Sequence, residues 1–406
     1  MVKLSWILAL GLATAAAIAG PIDAKTKAAV ETQVTARVTK MAYVPGSDFS
    51  KWPDILKRYR SQLDKATTEE AFAASLNTAL GEMKVSHLQI LTPEQNKTRL
   101  EGSRAGLGVY LEVVPQGLKV NGTILGSPAD KAGLNEGDLI IKVNGKKPAN
   151  QTVFQGEVGQ EFTLVVRDPK GKERTVKVKR AVFNTKEPET LQWLSGDVAQ
   201  IRIPTFEQSY SRTNVFNLVT EAQKAKVLVV DMRGNPGGFV FNMLHFAGMV
   251  LPKNQPFGTM VNRYVANKFT EETKKPETDL LAFSEWSKDK MKPAFVPNAP
   301  ELKSKLVAIV DGGTGSAAEI MAAAMRDVGG ATVFGQKSVG MVLAALMQEL
   351  PGGFMMIVPI QDYITIKGQR LEGSGVSPDI TVTGRKTRES DPAKNAILEW
   401  VAKQNL

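Results

Sequence analysis

A serine follows a glycine-rich turn in the segment LVAIVDGGTGSAAEI and precedes residues with helical periodicity. The segment predicts a strand, a turn and a helix that begins near Ser316. Free backbone N–H groups and the positive end of the helix dipole favour an alkoxide or an oxyanion at such a position. Ser316 is therefore a candidate nucleophile, with the Ala317 N–H as one donor to the oxyanion. The alternative is an ordinary N-cap serine, with Glu319 in the first turn complementing the dipole.

A second glycine-rich loop follows the apolar run in VLVVDMRGNPGGFV. Open α/β sheets place their sites at the carboxyl ends of strands, where this loop is expected to lie. Gly237 and Gly238 are therefore candidates for a second N–H donor to the oxyanion. The loop is not a phosphate-binding loop, because it has neither the dinucleotide glycine spacing nor a following Lys-Ser/Thr.

The chain has two histidines, and neither is close to Ser316 in sequence. His245 lies in the apolar helical segment FNMLHFAGMVL, which predicts a packed side chain. His87 follows Ser86 in KVSHLQIL, an alternating segment that predicts a strand after a helix. Any histidine that activates Ser316 must therefore be brought in from a distant segment.

The composition narrows the function classes. The 406 residues include no cysteine, so disulfides and thiolate catalysis are excluded. The net charge is +10, but the basic residues are scattered among acids and form no aromatic-interleaved stripe. We therefore expect no nucleic-acid binding and only weak attraction to acidic partners. No metal or organic cofactor is implied.

The N-terminus predicts export. Lys3 precedes an apolar run that ends in small residues, which is typical of a signal peptide over residues 1–19, with cleavage after Ala19 or Ala24. We expect a periplasmic or extracellular protein that keeps no membrane span after cleavage. An uncleaved membrane anchor is the alternative.

The rest of the chain divides by its periodicity. Helical patterns over residues 25–100 include a predicted capping box of Thr67 and Glu70. Residues 104–182 contain short β-like runs between turns, and residues 190–385 alternate strands and helices, which indicates a largely parallel α/β sheet. Residues 267–300 lack this pattern and are interpreted as an excursion or lid. Residues 391–405 predict a final helix capped by Asp391.

Six segments occur in the order found in the C-terminal processing (tail-specific) peptidases and their relative, the tricorn protease. They are KVSHLQI, a PDZ-like module with AGLGVYLEV and GTILGSPADKAGL, VVDMRGNPGGFV, GGTGSAAEI, VFGQKSVG and RLEGSGVSPDI. The chain resembles this family over most of its length. The resemblance implies an α/β fold with a crotonase-like (ClpP/crotonase) peptidase core, an N-terminal helical region and an inserted PDZ-like β-rich domain.

The resemblance offers two ways to activate Ser316. The processing peptidases use a lysine 25 residues after the nucleophile, where this chain has Met341; Lys337 occupies a neighbouring motif position. The tricorn-like branch uses a Ser-His pair far upstream and a late glutamate, which match Ser86, His87 and Glu372. In that arrangement His87 is the base, and Glu372 orients it through Ser86.

The resemblance implies an exported serine endopeptidase that cleaves extended or unfolded polypeptides, which the PDZ-like module selects by their C-termini. Leu107, Gly108 and Val109 are the expected cradle for a peptide carboxylate. Three alternatives remain open: an inactive peptide- or ligand-binding protein on the same scaffold, a Ser/Lys peptidase that uses Lys337, and a PDZ-like module that only positions its neighbours. The sequence leaves the oligomeric state open.

Overall fold

The computed structural model describes residues 21–124, 126–135, 137–148, 151–154, 158–184, 186–383 and 390–404. The predicted signal peptide over residues 1–19 lies outside these residues. The described chain forms two compact units, one over Glu94–Glu187 and the other over Pro21–Pro93 with Pro188–Leu406. No helix in the described ranges is long and apolar enough to cross a membrane.

Four helices open the larger unit: α1 (Ala24–Lys40), α2 (Trp52–Arg58), α3 (Arg60–Lys65) and α4 (Glu69–Gly81), followed by strand β1 (Gln89–Leu91). The cap of α4 is Thr68, not Thr67, because the Thr68 hydroxyl accepts a hydrogen bond from the Ala71 N–H. The predicted strand over KVSHLQIL is also shorter than expected. Ser86 and His87 form a turn before β1, since His87 has a φ of +54° that no strand accommodates.

The smaller unit follows, with α5 (Pro93–Glu101), β2 (Ser103–Gly106), β3 (Val109–Val114), β4 (Gly117–Thr123), α6 (Pro128–Lys131), β5 (Leu139–Val143), β6 (Glu161–Arg167), β7 (Glu173–Lys179) and β8 (Ala181–Asn184). Strands β3 to β7 form an antiparallel sheet in chain order, with β3 and β7 at its edges. Strands β2 and β8 pair antiparallel. Alternating residues of β6, such as Phe162, Leu164 and Val166, are buried in the core of this unit.

The remaining elements belong to the larger unit. In chain order they are β9 (Thr190–Ser195), β10 (Val198–Arg202), α7 (Arg212–Ala222), β11 (Val227–Asp231), α8 (Val240–Val250), β12 (Gly258–Asn262), α9 (Arg263–Thr273), α10 (Leu280–Trp286), β13 (Lys305–Val310), α11 (Ala317–Asp327), β14 (Thr332–Gly335), β15 (Ala344–Glu349), β16 (Met355–Thr365), β17 (Ile380–Thr381) and α12 (Pro392–Ala402). The predicted excursion over residues 267–300 contains α10 and most of α9. These two helices pack together through the buried rings of Phe269 and Phe283.

Two sheets organise this unit. The larger has the order β17-β14-β13-β11-β10-β9 and is parallel except for β9. Its central strands are buried on both faces: Leu228 and Val230 of β11 pack with α7, α8 and α11, whereas Val227 and Val229 pack with α12. In the second sheet, β16 pairs antiparallel with β1, β12 and β15. The N-terminal helices pack on β16 through Met356 and Val358 among others.

Candidate active site

Ser316 lies between β13 and α11, at the carboxyl edge of the parallel sheet. Its φ of +52° is unusual for a residue with a side chain and costs about 1–3 kcal/mol. Such a strained turn between a strand and a helix is typical of an exposed nucleophile. Strand, turn and helix thus occur where the sequence predicts them.

The Glu319 carboxylate fixes this turn through hydrogen bonds. Its Oε2 accepts hydrogen bonds from the backbone N–H groups of Ser316, at 3.0 Å, and Met341, at 2.9 Å. Its Oε1 accepts from the Ser338 hydroxyl at 2.5 Å and the Gly340 N–H at 2.6 Å. The side chain is fully buried, and burial raises the pKa of Glu319 against the lowering effect of these bonds. Glu319 therefore connects two loops in addition to complementing the helix dipole.

Gly237 packs directly against the nucleophile. A Cβ on Gly237 would lie 2.6 Å from the Ser316 Cβ and 2.9 Å from the Ala317 nitrogen, so this position accepts only glycine. The Gly237 N–H donates to Asn235 Oδ1 at 2.8 Å and is therefore engaged. Among the described residues, the N–H groups of Gly238 and Ala317 have no hydrogen-bond acceptor. The set of candidate oxyanion donors thus narrows from three to Gly238 and Ala317.

Ser86, His87 and Glu372 form a hydrogen-bonded relay. The Ser86 Oγ lies 2.8 Å from His87 Nδ1 and 3.0 Å from Glu372 Oε2. Glu372 also accepts the N–H groups of Ser86 at 3.1 Å and Val342 at 2.9 Å. β16 brings the relay together, because it pairs with β1 just after His87 and runs on to the turn before Glu372.

The relay determines the tautomer of His87. An ionised Glu372 carboxylate can only accept, so the Ser86 hydroxyl donates to it and accepts from the Nδ1–H of His87. The Nε2 of His87 is then unprotonated and can act as a base. Burial lowers the pKa of His87 to about 4 and raises the pKa of Glu372, whose hydrogen bonds with Val342 and Ser86 oppose that rise.

Two consecutive backbone N–H groups connect Ser316 with the relay. The Met341 N–H binds Glu319, whereas the Val342 N–H binds Glu372. One two-residue segment therefore binds both carboxylates. The structure gives no direct hydrogen bond between Ser316 and His87 in the described chain. It joins them through this shared segment, and catalytic contacts are often long without substrate.

The hydrogen bonds described above do not involve the side chains of Lys337, Met341 or His245. Lys337 is exposed, and none of the hydrogen bonds and ion pairs above includes it. Met341, at the position of the family lysine, is partly buried next to Val342. His245 is half-buried on α8 and shares a 3.0 Å hydrogen bond with the Tyr210 hydroxyl, which agrees with the predicted packed histidine.

Sequence reasoning assigned no role to two residues that support the site. The Asn235 amide is fully buried, and its Nδ2 donates to the Ile203 carbonyl while its Oδ1 accepts from Gly237. Arg233 binds Asp231 and Asp391 through paired hydrogen bonds, which fixes the start of the glycine loop. The motif RGNPGG contains Arg233 and Asn235, but their partners Asp391 and Ile203 come from distant segments.

In the smaller unit, the predicted cradle forms the link between β2 and β3. Leu107 is buried, and its carbonyl accepts the Ala129 N–H at 2.8 Å. The Gly108 carbonyl accepts from the Ile124 N–H at 2.8 Å and the Ser127 hydroxyl at 3.1 Å. Val109 begins β3, whose outer edge pairs with no other described strand.

Comparisons with known proteins give the class of this arrangement. Residues 197–382 match the sequence model of peptidase family S41, and residues 97–155 match that of the PDZ domain. A probable CtpA-like serine protease of Staphylococcus aureus (strain COL) is 27% identical over 374 residues, covering 86% of this chain and 70% of the relative. The protein is thus a serine-type peptidase.

Solved structures share the fold. The photosystem II D1 C-terminal processing protease matches with a TM-score of 0.57 at 20% identity, covering 90% of this chain and 94% of its own. Mature CPAF matches with a TM-score of 0.58 at 14% identity, covering 93% and 96%. Residues 197–382 therefore form a domain of peptidase family S41 and residues 97–155 a PDZ domain, and the chain is similar to C-terminal processing peptidases.

Proposed function

We propose that this protein is an exported serine endopeptidase that cleaves extended or unfolded polypeptides, with Ser316 as nucleophile and His87 as general base. The observation that carries the proposal is the Glu372–Ser86–His87 relay, which holds the imidazole in the tautomer that a base requires. Met341 cannot accept a proton, and His87 makes a lysine at that position unnecessary.

The proposed reaction has two halves. His87 Nε2 takes the Ser316 proton as Oγ attacks the peptide carbonyl, and the N–H groups of Gly238 and Ala317 stabilise the oxyanion. The protonated imidazole then donates to the departing amine, which leaves an acyl-enzyme. His87 next activates a water molecule that hydrolyses the ester and restores Ser316.

We assign the peptide-selecting role to the PDZ domain. The unpaired edge of β3 suits strand addition of an extended peptide, and the Leu107–Gly108 link at its start suits a terminal carboxylate. We assign the larger unit to the crotonase-like class, on the basis of its parallel sheet with helices on both faces. Export rests on the predicted signal peptide over residues 1–19, and N-terminal sequencing of protein from each cell fraction tests it.

The decisive experiment compares cleavage of an unfolded reference protein by the wild type and by Ser316→Ala, His87→Ala and Lys337→Ala. We expect the first two changes to lower the rate by about 10⁴-fold or more and the third to have no effect. A normal rate for His87→Ala with an inactive Lys337→Ala would overturn the relay. A wild type that cleaves none of several unfolded proteins or peptides between pH 5 and 9 would favour the alternative of an inactive binding protein. The residue that supports this alternative is Met341, which stands where the processing peptidases have a lysine base.

A further inference from the structure

Two phenylalanines at the start of α8 expose an aromatic surface. The rings of Phe239 and Phe241 stack with centroids 5.0 Å apart and planes 10° from parallel. Phe239 is 37% exposed and Phe241 is 55% exposed. Since exposed apolar surface at a functional edge is typical of a binding site, this stack requires a partner.

Chain connectivity places the stack beside the nucleophile. Gly237 contacts Ser316. Phe239 follows Gly237 by two residues, so the Cα atoms of Gly237 and Phe239 are at most about 8 Å apart. The Phe239 N–H donates to the Phe206 carbonyl at 2.9 Å, and the Asn242 amide donates to the same oxygen at 2.9 Å. The backbone that carries the stack is therefore fixed to the loop that carries the oxyanion donor Gly238.

The Phe239 and Phe241 rings are fixed by neighbouring side chains but stay partly exposed to solvent. The Arg212 guanidinium carbon lies 5.3 Å from the centroid of the Phe241 ring, within the range of a cation–π contact. With Arg212 and Phe239 as neighbours, Phe241 loses little rotamer freedom when a ligand binds. A rigid aromatic surface recognises apolar side chains at low entropic cost, as the aromatic anchors of many interfaces do.

We propose that Phe239 and Phe241 form a specificity site for an apolar, preferably aromatic, side chain of the substrate polypeptide next to the scissile bond. The occupant is the substrate itself, because the stack is continuous with the proposed oxyanion loop. This inference rests on the proposed function and deepens it. It predicts selection by side chains near the cut, separate from selection of the C-terminus by the PDZ domain.

The test uses pairs of peptides that differ by Phe or Ser at each position flanking a mapped cleavage site. We expect the wild type to prefer Phe at one of these positions by about 10- to 100-fold in kcat/KM. The double variant Phe239→Ser/Phe241→Ser should reduce this ratio to about 1, and Phe239→Leu/Phe241→Leu should retain part of it. Tyr264→Ser removes an aromatic ring that is 77% exposed on α9 and should leave the ratio unchanged. An unchanged ratio in the double variant, with normal cleavage, overturns the inference and leaves the proposed function standing.

A binding assay separates the two proposals. The same peptides are titrated into full-length Ser316→Ala protein, with and without the double substitution, by calorimetry. We expect the Phe peptide to bind more tightly by about 10-fold, and this preference to disappear in the double variant. If the wild type cleaves nothing but this preference is found, the proposed function fails and the aromatic site remains. If Phe and Ser peptides bind the Ser316→Ala protein equally, the inference fails.

Discussion

The two halves of the proposed active site are anchored in different ways. Ser316 is positioned through backbone groups: its N–H binds a fully buried carboxylate, and Gly237 packs against its Cβ. His87 is positioned through side chains, because Ser86 and Glu372 orient its imidazole. The nucleophile side therefore belongs to the core of the fold, whereas the base side determines tautomer and protonation. At neutral pH, changes on the first side should cost both stability and rate, and changes on the second should cost mainly rate.

The largest combined effect should come from Glu319→Gln. The amide oxygen then accepts from two of the four donors, and the amide NH₂ group opposes the other two. We expect the free energy of unfolding to fall by about 2–4 kcal/mol and kcat/KM by about 10³-fold. Urea denaturation and peptide hydrolysis measure the two quantities. Glu221→Gln, at an exposed position on α7, is the matched control; a Glu319→Gln protein that resembles it would remove the distinction between the two halves.

Gly237→Ala should have the next largest effect. The new Cβ would lie 2.6 Å from the Ser316 Cβ, at a residue whose φ is +95°. We expect a loss of about 1–3 kcal/mol in stability and, because the nucleophile must shift, about 10²-fold in rate. Gly234→Ala in the same loop provides the control, since its φ is +66° but nothing lies within 4 Å of its Cβ. Equal rates for the two alanine variants would show that packing against Ser316 is unimportant.

On the base side, Ser86→Ala should separate rate from stability. The variant breaks the link between His87 and Glu372 and leaves both residues in place. We expect kcat to fall by about 10- to 10²-fold with KM unchanged, and unfolding free energy to change by less than about 1 kcal/mol. Ser75→Ala on α4 is the control, because that hydroxyl only binds a carbonyl of its own helix. A KM effect without a kcat effect would argue against the relay.

The smallest effect concerns pH. A general base must be unprotonated, and burial lowers the pKa of His87 to about 4. The acid limb of the kcat/KM profile should therefore lie well below the ordinary histidine value of about 6.5. The free energy of unfolding should fall as the pH drops from about 6.5 to about 4. In this range the unfolded protein binds a proton at His87, whereas the folded protein does so only near pH 4. His87→Gln should flatten this part of the stability curve. An acid limb near 6.5 in the wild type would contradict the buried, relayed imidazole.

The sequence predicted the nucleophile side well, because its signals are local. An apolar strand, a glycine turn and an amphipathic helix specify the position of Ser316 without reference to other segments. The final helix and its Asp391 cap also follow from adjacent residues. Two details of the sequence-based prediction differ from the structure. Thr68, not Thr67, caps α4. Residues 267–300 contain helices that the alternating pattern did not reveal.

The base side could not be derived from local pattern. Residues 84–91 alternate like a strand, yet tertiary contacts with Glu372 and β16 hold Ser86 and His87 in a turn. The Gly237 N–H is bound by Asn235, only two residues away, but the Asn235 amide is itself held by the distant Ile203 carbonyl. Hydrogen-bond partners from distant segments leave no periodic signal in the chain.

By itself, the sequence determined the order of strands and helices, the serine at the helix start and the order of motifs that identifies the family, since each depends on residues close together in the chain. Only the tertiary structure decided which groups act together. Glu319 and Glu372 are linked because the consecutive Met341 and Val342 N–H groups bind them, and Phe239 remains partly exposed at the start of α8. These relations depend on three-dimensional contacts between segments that are as far apart as residues 86 and 372.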